Sequence, residues 1–172
     1  KLIIDPTVRT NLTIIDKREI KQKENYMADV ISRGEKSIIY VNSREKTVEL
    51  AKNLRRKLPF MKDQIGYYHA GLDSKSRYYI EKLFRDGKLT TIVSTSAFGE
   101  GIDIPDIRHV MHYHMTFNEI EFNQESGRAG RDGNKAYIHL LFGGVDERIN
   151  DFIMKKETPS LQLLRHLYSY LN

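Results

Sequence analysis

The amino-acid sequence predicts one α/β domain of three layers, in which a mainly parallel central sheet is flanked by helices. Short apolar segments rich in β-branched residues recur along the chain as continuous runs, the pattern of strands that are buried on both faces. Segments with apolar residues at helical spacing lie between these runs, as expected when helices cross over between parallel strands. At 172 residues the chain has the length of a single domain.

Strands are predicted wherever a short apolar run is bounded by polar or glycine-containing turns. An entry strand precedes the main series, and a run near residue 140 closes it. In chain order the predicted strands are Leu12–Ile15, Ile38–Val41, Ile65–Tyr68, Thr90–Ser94, Val110–Tyr113 and Ala136–Phe142.

Helices are predicted where apolar residues repeat every three or four positions. The predicted helices are Ile20–Ile31, Glu45–Leu58, Ser76–Phe84 and Pro159–Leu171. We expect three segments along the chain: an entry strand and helix at 1–35, the core at 36–144, and C-terminal helices at 145–172. The last segment is expected to pack on the domain or to lead to a further one.

Composition narrows the possible partners. Residues 1–62 carry 15 Lys and Arg against 8 Asp and Glu, an excess that suits a polyanion such as nucleic acid and equally suits solvated helix faces.

The absence of cysteine excludes disulfides, thiolate zinc sites and a cysteine nucleophile. The apolar runs are much shorter than the roughly 18 residues of a membrane span, so we expect no membrane partner and a cytoplasmic location. Because the chain starts at Lys1 without a leader or an initiator Met, we expect a longer parent protein.

Three polar loops follow predicted strands. They contain Ser43 and Arg44, the segment His69–Gly71, and Ser94 with Thr95. Ligands of parallel sheets bind at the carboxyl ends of the strands, where these loops are predicted to meet. Small hydroxyl groups, glycine amides and one Arg suit the phosphate backbone of a nucleic acid. The alternative is that these residues only form turns.

Residues 124–133 carry the strongest local pattern, Gln-Glu-Ser-Gly-Arg-Ala-Gly-Arg-Asp-Gly. If a helix continues through this segment from Asn118, then Gln124, Arg128 and Arg131 fall along one stripe with two glycines beside them. Glycine inside a helix costs about 1 kcal/mol relative to alanine, so the pattern predicts close approach by a ligand or another surface. The paired guanidinium groups suit the oxygens of a transferring phosphoryl group, and the alternative is an ordinary surface pair.

Two other patterns are predicted to have no catalytic role. His109, His112 and His114 alternate along a predicted strand, where only two of them share a face, so packing or surface roles and no metal site are expected. Asp146 and Glu147 are predicted to start an amphipathic helix, where carboxylates are favoured.

Together these motifs resemble those of RecQ-type helicases of superfamily 2. Gln124–Gly133, with Ala97–Asp103 upstream, resembles the last two motifs of that family in order and spacing. Ile39–Arg44 resembles the first motif of the family's second RecA-like lobe, and Tyr68–Leu72 resembles the segment after its next strand. Arg9–Leu12 is a fainter match to the beginning of that lobe.

The resemblance implies a RecA-like fold and the C-terminal motor lobe of an ATP-dependent DNA helicase that acts in DNA repair and recombination. It implies that Arg128 and Arg131 are arginine fingers at the γ-phosphate of ATP, and that Gln124 positions nucleotide or water. Gly101 and Asp103 are then expected at the nucleotide cleft. The implied contacts to single-stranded DNA are Ser43, Arg44, His69, Gly71, Ser94 and Thr95.

The chain has no Gly-x4-Gly-Lys-Ser/Thr sequence, which cradles nucleotide phosphates. We therefore expect ATP and Mg2+ to be held mainly by an N-terminal RecA-like lobe of the same parent chain, and the isolated chain to be inactive. Two alternatives stay open. One is an RNA helicase lobe of the DEAD-box kind, although such lobes typically have His-Arg in place of Gln124-Glu125. The other is a degenerate lobe that binds nucleic acid within a larger DNA-repair enzyme, such as an exonuclease fusion.

Overall fold

The structure is a computed structural model, and it describes residues 9–99 and 102–144. In this part of the chain, strands alternate with helices, except that the fifth strand follows the fourth with no helix among the described residues between them. In order they are β1 (Leu12–Asp16), α1 (Lys23–Ile31), β2 (Ser37–Tyr40), α2 (Arg44–Lys57), a 3-10 helix (Pro59–Gln64), β3 (Ile65–Tyr68), α3 (Ser74–Arg85), β4 (Thr91–Ser94), β5 (His109–His112), α4 (Glu119–Ser126) and β6 (Ala136–Leu140).

The six strands form one sheet in the order β1-β6-β5-β2-β4-β3. Every neighbouring pair is parallel; in the centre Ile38 is opposite Ile92 on one side and opposite Val110 on the other. Because all strands point the same way, their carboxyl ends meet at one edge of the sheet, which we call the carboxyl edge. The predicted fold class is confirmed, with a sheet that is parallel throughout.

Two apolar cores sandwich the sheet. Ile38 and Ile39 are neighbours on β2 and point to opposite faces, and both are fully buried. Ile39 packs with residues of α1 and α2, such as Leu50, in one core. Ile38 packs in the other core with Phe84 of α3 and with loop residues such as Phe98. This double burial explains the continuous apolar runs in the sequence.

Three helices that begin at the carboxyl edge start with a side-chain cap. Ser43 accepts a hydrogen bond from the Lys46 amide at α2, and Asp73 accepts one from the Ser76 amide at α3. Asn118 caps α4 in the same way. A cap of this kind contributes about 1 kcal/mol to helix stability. The caps therefore fix where the chain turns from each loop into the following helix.

One prediction about the glycine-rich motif is wrong. The helix that starts after Asn118 ends at Ser126, so Arg128 and Arg131 do not lie on a helical stripe with Gln124. Gly130 has φ of +54°, which no residue of a right-handed helix adopts. The two glycines do not weaken a helix; they follow its end and form a turn that leads back toward β6.

The predicted helix Pro159–Leu171 and the whole of 145–172 lie outside the described residues, as do Asp146 and Glu147. Within 9–99 and 102–144, none of the helices has both the length and the apolar character needed to cross a bilayer.

Candidate nucleotide and nucleic-acid site

The loops that follow β2, β4 and β3 open side by side at the carboxyl edge, because these strands are neighbours in the sheet. The loop after β2 contains Ser43 and Arg44, and the loop after β3 contains His69 and Gly71. The loop after β4 begins with Thr95. The structure therefore brings together the three loops that the sequence predicted to meet.

Arg44 and His69 converge on Gly71. A Cβ atom built on Gly71 would lie 3.1 Å from Arg44 Nη1 and 3.2 Å from His69 Nδ1. The His69 ring stacks on Tyr67 with centroids 5.9 Å apart, and its Nδ1 atom is buried without a hydrogen-bond partner in the described part of the chain. Arg44 itself is exposed at the start of α2. The Arg44 guanidinium group and the Gly71 backbone therefore lie next to each other.

The three hydroxyl residues of these loops differ in what they present to solvent. The Ser43 hydroxyl accepts the α2 capping bond from the Lys46 amide at 3.2 Å. Ser94 is fully buried, and its hydroxyl lies 3.0 Å from the Tyr68 carbonyl oxygen and 2.7 Å from the Thr95 carbonyl oxygen. Thr95 is partly exposed. Ser43 and Thr95 are therefore both accessible at the loop surface, whereas Ser94 is not.

The glycine-rich turn after α4 is held by the beginning of the described chain. Arg9 donates hydrogen bonds to three carbonyl oxygens, those of Gly127 at 3.1 Å, Ala129 at 2.7 Å and Gly130 at 2.6 Å. The Asn11 amide adds a bond of 2.8 Å to the Gly130 carbonyl. In the sequence this entry segment is only a faint motif, since contacts across about 120 positions leave no periodic signal.

Arg128 is fixed by Gly99. Its Nη1 atom donates a 2.6 Å hydrogen bond to the Gly99 carbonyl. Gly99 has φ of +105°, and a Cβ atom there would lie only 2.2 Å from Arg128 Cζ. Glycine tolerates this positive φ and has no Cβ atom, so the Arg128 guanidinium group can lie directly against the backbone at position 99.

Arg131 is paired with Asp103. Its Nη1 atom lies 3.0 Å from Asp103 Oδ1, and Nε donates to the Gly127 carbonyl at 3.3 Å. Both side chains are accessible, with 37% of Arg131 and 80% of Asp103 exposed. An ion pair this exposed contributes about 0–1 kcal/mol and exchanges easily for another anion. Gly101, the other predicted residue here, lies outside the described residues.

Gln124 lines an open cleft of about 390 Å3 beside Arg128. Ser96 and the exposed apolar residues Phe117 and Ile120 also line this cleft. Gln124 is exposed on α4. The structure therefore places Gln124 and Arg128 on one cleft, and it places Arg131 with Asp103.

A buried pair anchors the end of α4. Glu125 Oε2 lies 3.2 Å from His112 Nδ1, and both side chains are almost fully buried. The other ring nitrogen of His112 is hydrogen-bonded to Ser126 Oγ at 3.0 Å. Burial raises the pKa of Glu125, and His112 opposes this shift. The residue that follows Gln124 thus fastens the motif to β5.

His109 and His139 belong to a hydrogen-bonded chain under α1. Glu35 bonds to His109 at 3.0 Å, His109 bonds to His139 at 2.9 Å, and His139 bonds to the Tyr26 hydroxyl at 2.8 Å. Burial lowers the pKa of His139 to about 4, and the neighbouring His109 adds to the shift. His114 accepts a hydrogen bond from the Asn42 amide. In the described ranges no three His, Asp or Glu side chains are placed to hold a metal ion.

The parallel three-layer fold, with Arg128 on an open cleft that Ser96 also lines and Arg131 paired with Asp103, defines the class of the domain: it is a RecA-like C-terminal lobe of superfamily 2 helicases. Residues 22–133 match the family described as "Helicase conserved C-terminal domain". The chain belongs to this family, and within it to the RecQ type.

Relatives support this assignment. The chain is 38% identical over 125 residues to a probable ATP-dependent DNA helicase, RecS, of Bacillus subtilis, which covers 73% of the chain and 25% of RecS. It is 32% identical over 161 residues to the ATP-dependent DNA helicase RecQ of Haemophilus influenzae, covering 92% and 25%. A putative ATP-dependent RNA helicase of Acanthamoeba polyphaga mimivirus is 33% identical over 157 residues, covering 90% and 28%. The chain thus spans about a quarter of the length of these curated relatives.

A solved structure shows the same fold. The E. coli DEAD-box protein SrmB, in its complex with the regulator of ribonuclease activity A, superposes with a TM-score of 0.67. The sequences are 25% identical, and the match covers 79% of each chain.

Proposed function

We propose that this chain is the second motor lobe of an ATP-dependent DNA helicase and that it supplies arginine fingers to ATP held mainly by an N-terminal lobe of the same parent chain. One observation carries the proposal. Arg128 is held on an open cleft by the Gly99 carbonyl, and Arg131 is held by the Gly127 carbonyl and the exposed Asp103 carboxylate. Their guanidinium groups are therefore oriented before any phosphate binds, which is the property that an electrostatic catalyst requires.

Arg131 is the better candidate for the direct finger. Its partner Asp103 is exposed, so exchange of this carboxylate for a phosphate oxygen costs little. Arg128 is held more tightly by Gly99 and is suited to a fixed contact with nucleotide already in place. Gln124, on the same cleft as Arg128, is placed to orient nucleotide or water.

The arginines of this chain are suited to contact the transferring phosphoryl group of a nucleotide rather than to bind all of its phosphates. Guanidinium donors suit the charge that spreads over a transferring phosphoryl group. The sequence lacks the phosphate-binding loop, so we propose that the other lobe supplies it together with the ligands of Mg2+. Bound ATP would supply the phosphoryl group, and the arginines here would stabilise its developing charge.

We further propose that the loops after β2, β3 and β4 hold the backbone of single-stranded DNA. Arg44 supplies the charge, while Gly71 and Thr95 allow the backbone to approach closely. His69 lies against Gly71 and is available to contact sugar or phosphate. Because these contacts do not read bases, binding is expected to tolerate different sequences. Closure of the two lobes around ATP would then move the strand.

An RNA helicase is the second candidate. The observation that favours it is the likeness to the putative RNA helicase of the mimivirus, which is as similar to this chain as the RecQ relative. Contacts from Arg44 and Gly71 to a nucleic-acid backbone would suit either DNA or RNA, since both have the same phosphates.

The test measures binding of this chain to labelled single-stranded oligonucleotides of several sequences, as DNA and as RNA, over a range of salt. The affinity of Arg44→Gln should fall, and the slope of log affinity against log salt should decrease by about 0.7, the value for one phosphate contact on a single strand. Arg33→Gln is the matched control, because Arg33 is an exposed arginine just before β2, at the opposite edge. Equal losses for both variants would contradict the assignment of the loops.

A further inference from the structure

The outer face of α3 has an unusual composition. The exposed residues of this helix are Ser74, Lys75, Tyr78, Tyr79, Lys82 and Arg85. Tyr78 and Tyr79 are 66% and 61% exposed, which is high for large aromatic side chains. No acidic residue lies among the exposed positions. The face therefore combines two aromatic rings with three cations, and we call these five residues the α3 face.

Helical geometry places the five residues together. At 100° per residue, they lie within an arc of about 120° centred opposite Phe84, the buried residue of the helix. Lys75 is four positions before Tyr79, and Tyr78 is four positions before Lys82, so each ring is next to a cation. The rings and charges form one continuous surface along the helix.

The cations of the α3 face are not paired with carboxylates of the described residues, although Asp73 and Asp86 flank the helix. Within the described residues, none of the side chains of Lys75, Lys82 and Arg85 forms an ion pair. Glu81 is the one acidic residue of α3, and its carboxylate accepts a hydrogen bond from the Tyr68 hydroxyl at 2.6 Å, on the buried side of the helix. The face is thus an unneutralised positive surface, which attracts polyanions.

Its location connects it with the loop after β3. Gly71 is three residues before Ser74, where α3 begins, and Asp73 caps the helix. β3 is the edge strand of the sheet, so α3 borders the end of the row of loops at the carboxyl edge. A strand that passes over Arg44 and Gly71 therefore reaches the first residues of α3 next.

We propose that the α3 face is a second binding surface for single-stranded nucleic acid, on which Tyr78 and Tyr79 stack with bases while Lys75, Lys82 and Arg85 contact phosphates. Aromatic side chains interleaved with cations are the combination that binds single strands without reading sequence. The twelve residues of α3 span about 18 Å, which corresponds to about five nucleotides at ~3.4 Å per nucleotide. The path of the nucleic acid from the loops onto α3 rests on the proposed function of the loops.

The experiment compares binding of this chain to labelled oligodeoxythymidylate of two lengths, about five and about fifteen nucleotides, by fluorescence anisotropy. The shorter probe covers one surface and the longer probe covers both. Tyr78→Ala and Tyr79→Ala should each weaken binding of the longer probe by about fivefold or more, the lower end of base-aromatic stacking. The Lys75→Gln/Lys82→Gln variant should reduce the salt slope by about 1.4, as expected for two phosphate contacts.

Matched controls lie away from this face. Phe60→Ala removes an aromatic ring that is 74% exposed in the 3-10 helix before β3. Lys52→Gln/Lys62→Gln removes two exposed lysines outside α3. All of these positions are exposed, so each variant should have a melting curve like that of the wild type.

The outcomes separate this inference from the proposed function. Loss of long-probe binding in the α3 variants, with normal binding in the controls, supports the α3 face. If Arg44→Gln weakens binding but the α3 variants match the wild type, the α3 face is refuted and the loop assignment stands. If the α3 variants weaken binding and Arg44→Gln does not, the α3 face stands and the loop assignment fails. A blunt duplex that binds with the same dependence on Tyr78 and Tyr79 would refute a single-strand surface.

Discussion

Gly99→Ala is the perturbation that most sharply tests how Arg128 is held. Alanine at φ of +105° strains the backbone by about 1–3 kcal/mol. Its Cβ atom would also occupy the position of the guanidinium group, 2.2 Å from Arg128 Cζ, so the 2.6 Å bond to the Gly99 carbonyl is lost. Because Arg128 is partly exposed to solvent, that bond is expected to contribute about 1 kcal/mol, the value of an ordinary hydrogen bond. The total expected loss in the free energy of unfolding is about 2–4 kcal/mol.

A double-mutant cycle separates the two contributions. Urea unfolding would be measured for wild type, Gly99→Ala, Arg128→Ala and the double variant. In the Arg128→Ala background only backbone strain remains, so Gly99→Ala should cost about 1 kcal/mol less there. Gly87→Ala is the control for strain, because Gly87 has φ of +72° and open space around its Cβ position. A Gly99→Ala cost that is the same with and without Arg128 would refute the reasoning.

Two further predictions concern stability. Arg9→Ala leaves the carbonyls of Gly127, Ala129 and Gly130 without their donor, so we expect a loss of about 2 kcal/mol, seen as a fall in Tm of about 4–8 °C; a change no larger than that of Arg33→Ala would contradict this. His139 has a folded-state pKa of about 4, below the roughly 6.5 of an unfolded chain, so its contribution is complete above pH 6.5 and is lost as the pH falls toward 4. Urea unfolding should show a loss on the order of 3 kcal/mol across this window, and His139→Asn should reduce it; an unchanged pH dependence would contradict the assignment.

Most of the fold was predictable because burial on both sides leaves a clear sequence pattern. The strand Ile65–Tyr68 has the predicted bounds, and the helix predicted at Glu45–Leu58 is found at Arg44–Lys57. The error came at Gly127–Gly133, where apolar and basic spacing continued after the helix had ended. Gly130 has a positive φ, and its carbonyl is bonded to Asn11, which lies 119 positions away in the sequence.

The candidate site was predictable at the level of loops rather than of individual contacts. The order of strands along the chain predicted that the loops containing Arg44, His69 and Thr95 lie together, since the carboxyl ends of parallel strands meet at one edge. It did not reveal that the Ser94 hydroxyl bonds internally, or that Arg9 holds the glycine-rich turn. Those features depend on side-chain directions and on long-range contacts, which leave no local pattern.

ATP turnover by the intact parent protein, at saturating ATP and DNA, decides the claim that Arg131 acts on ATP held by another lobe. Arg131→Ala should reduce turnover by roughly 10³-fold or more, about 4 kcal/mol of barrier, while the melting curve stays unchanged because the side chain is exposed. Arg131→Lys should not restore turnover, since a point charge does not reproduce the planar fork. Near-normal turnover of Arg131→Ala, or loss of turnover only because the variant unfolds, would contradict the claim.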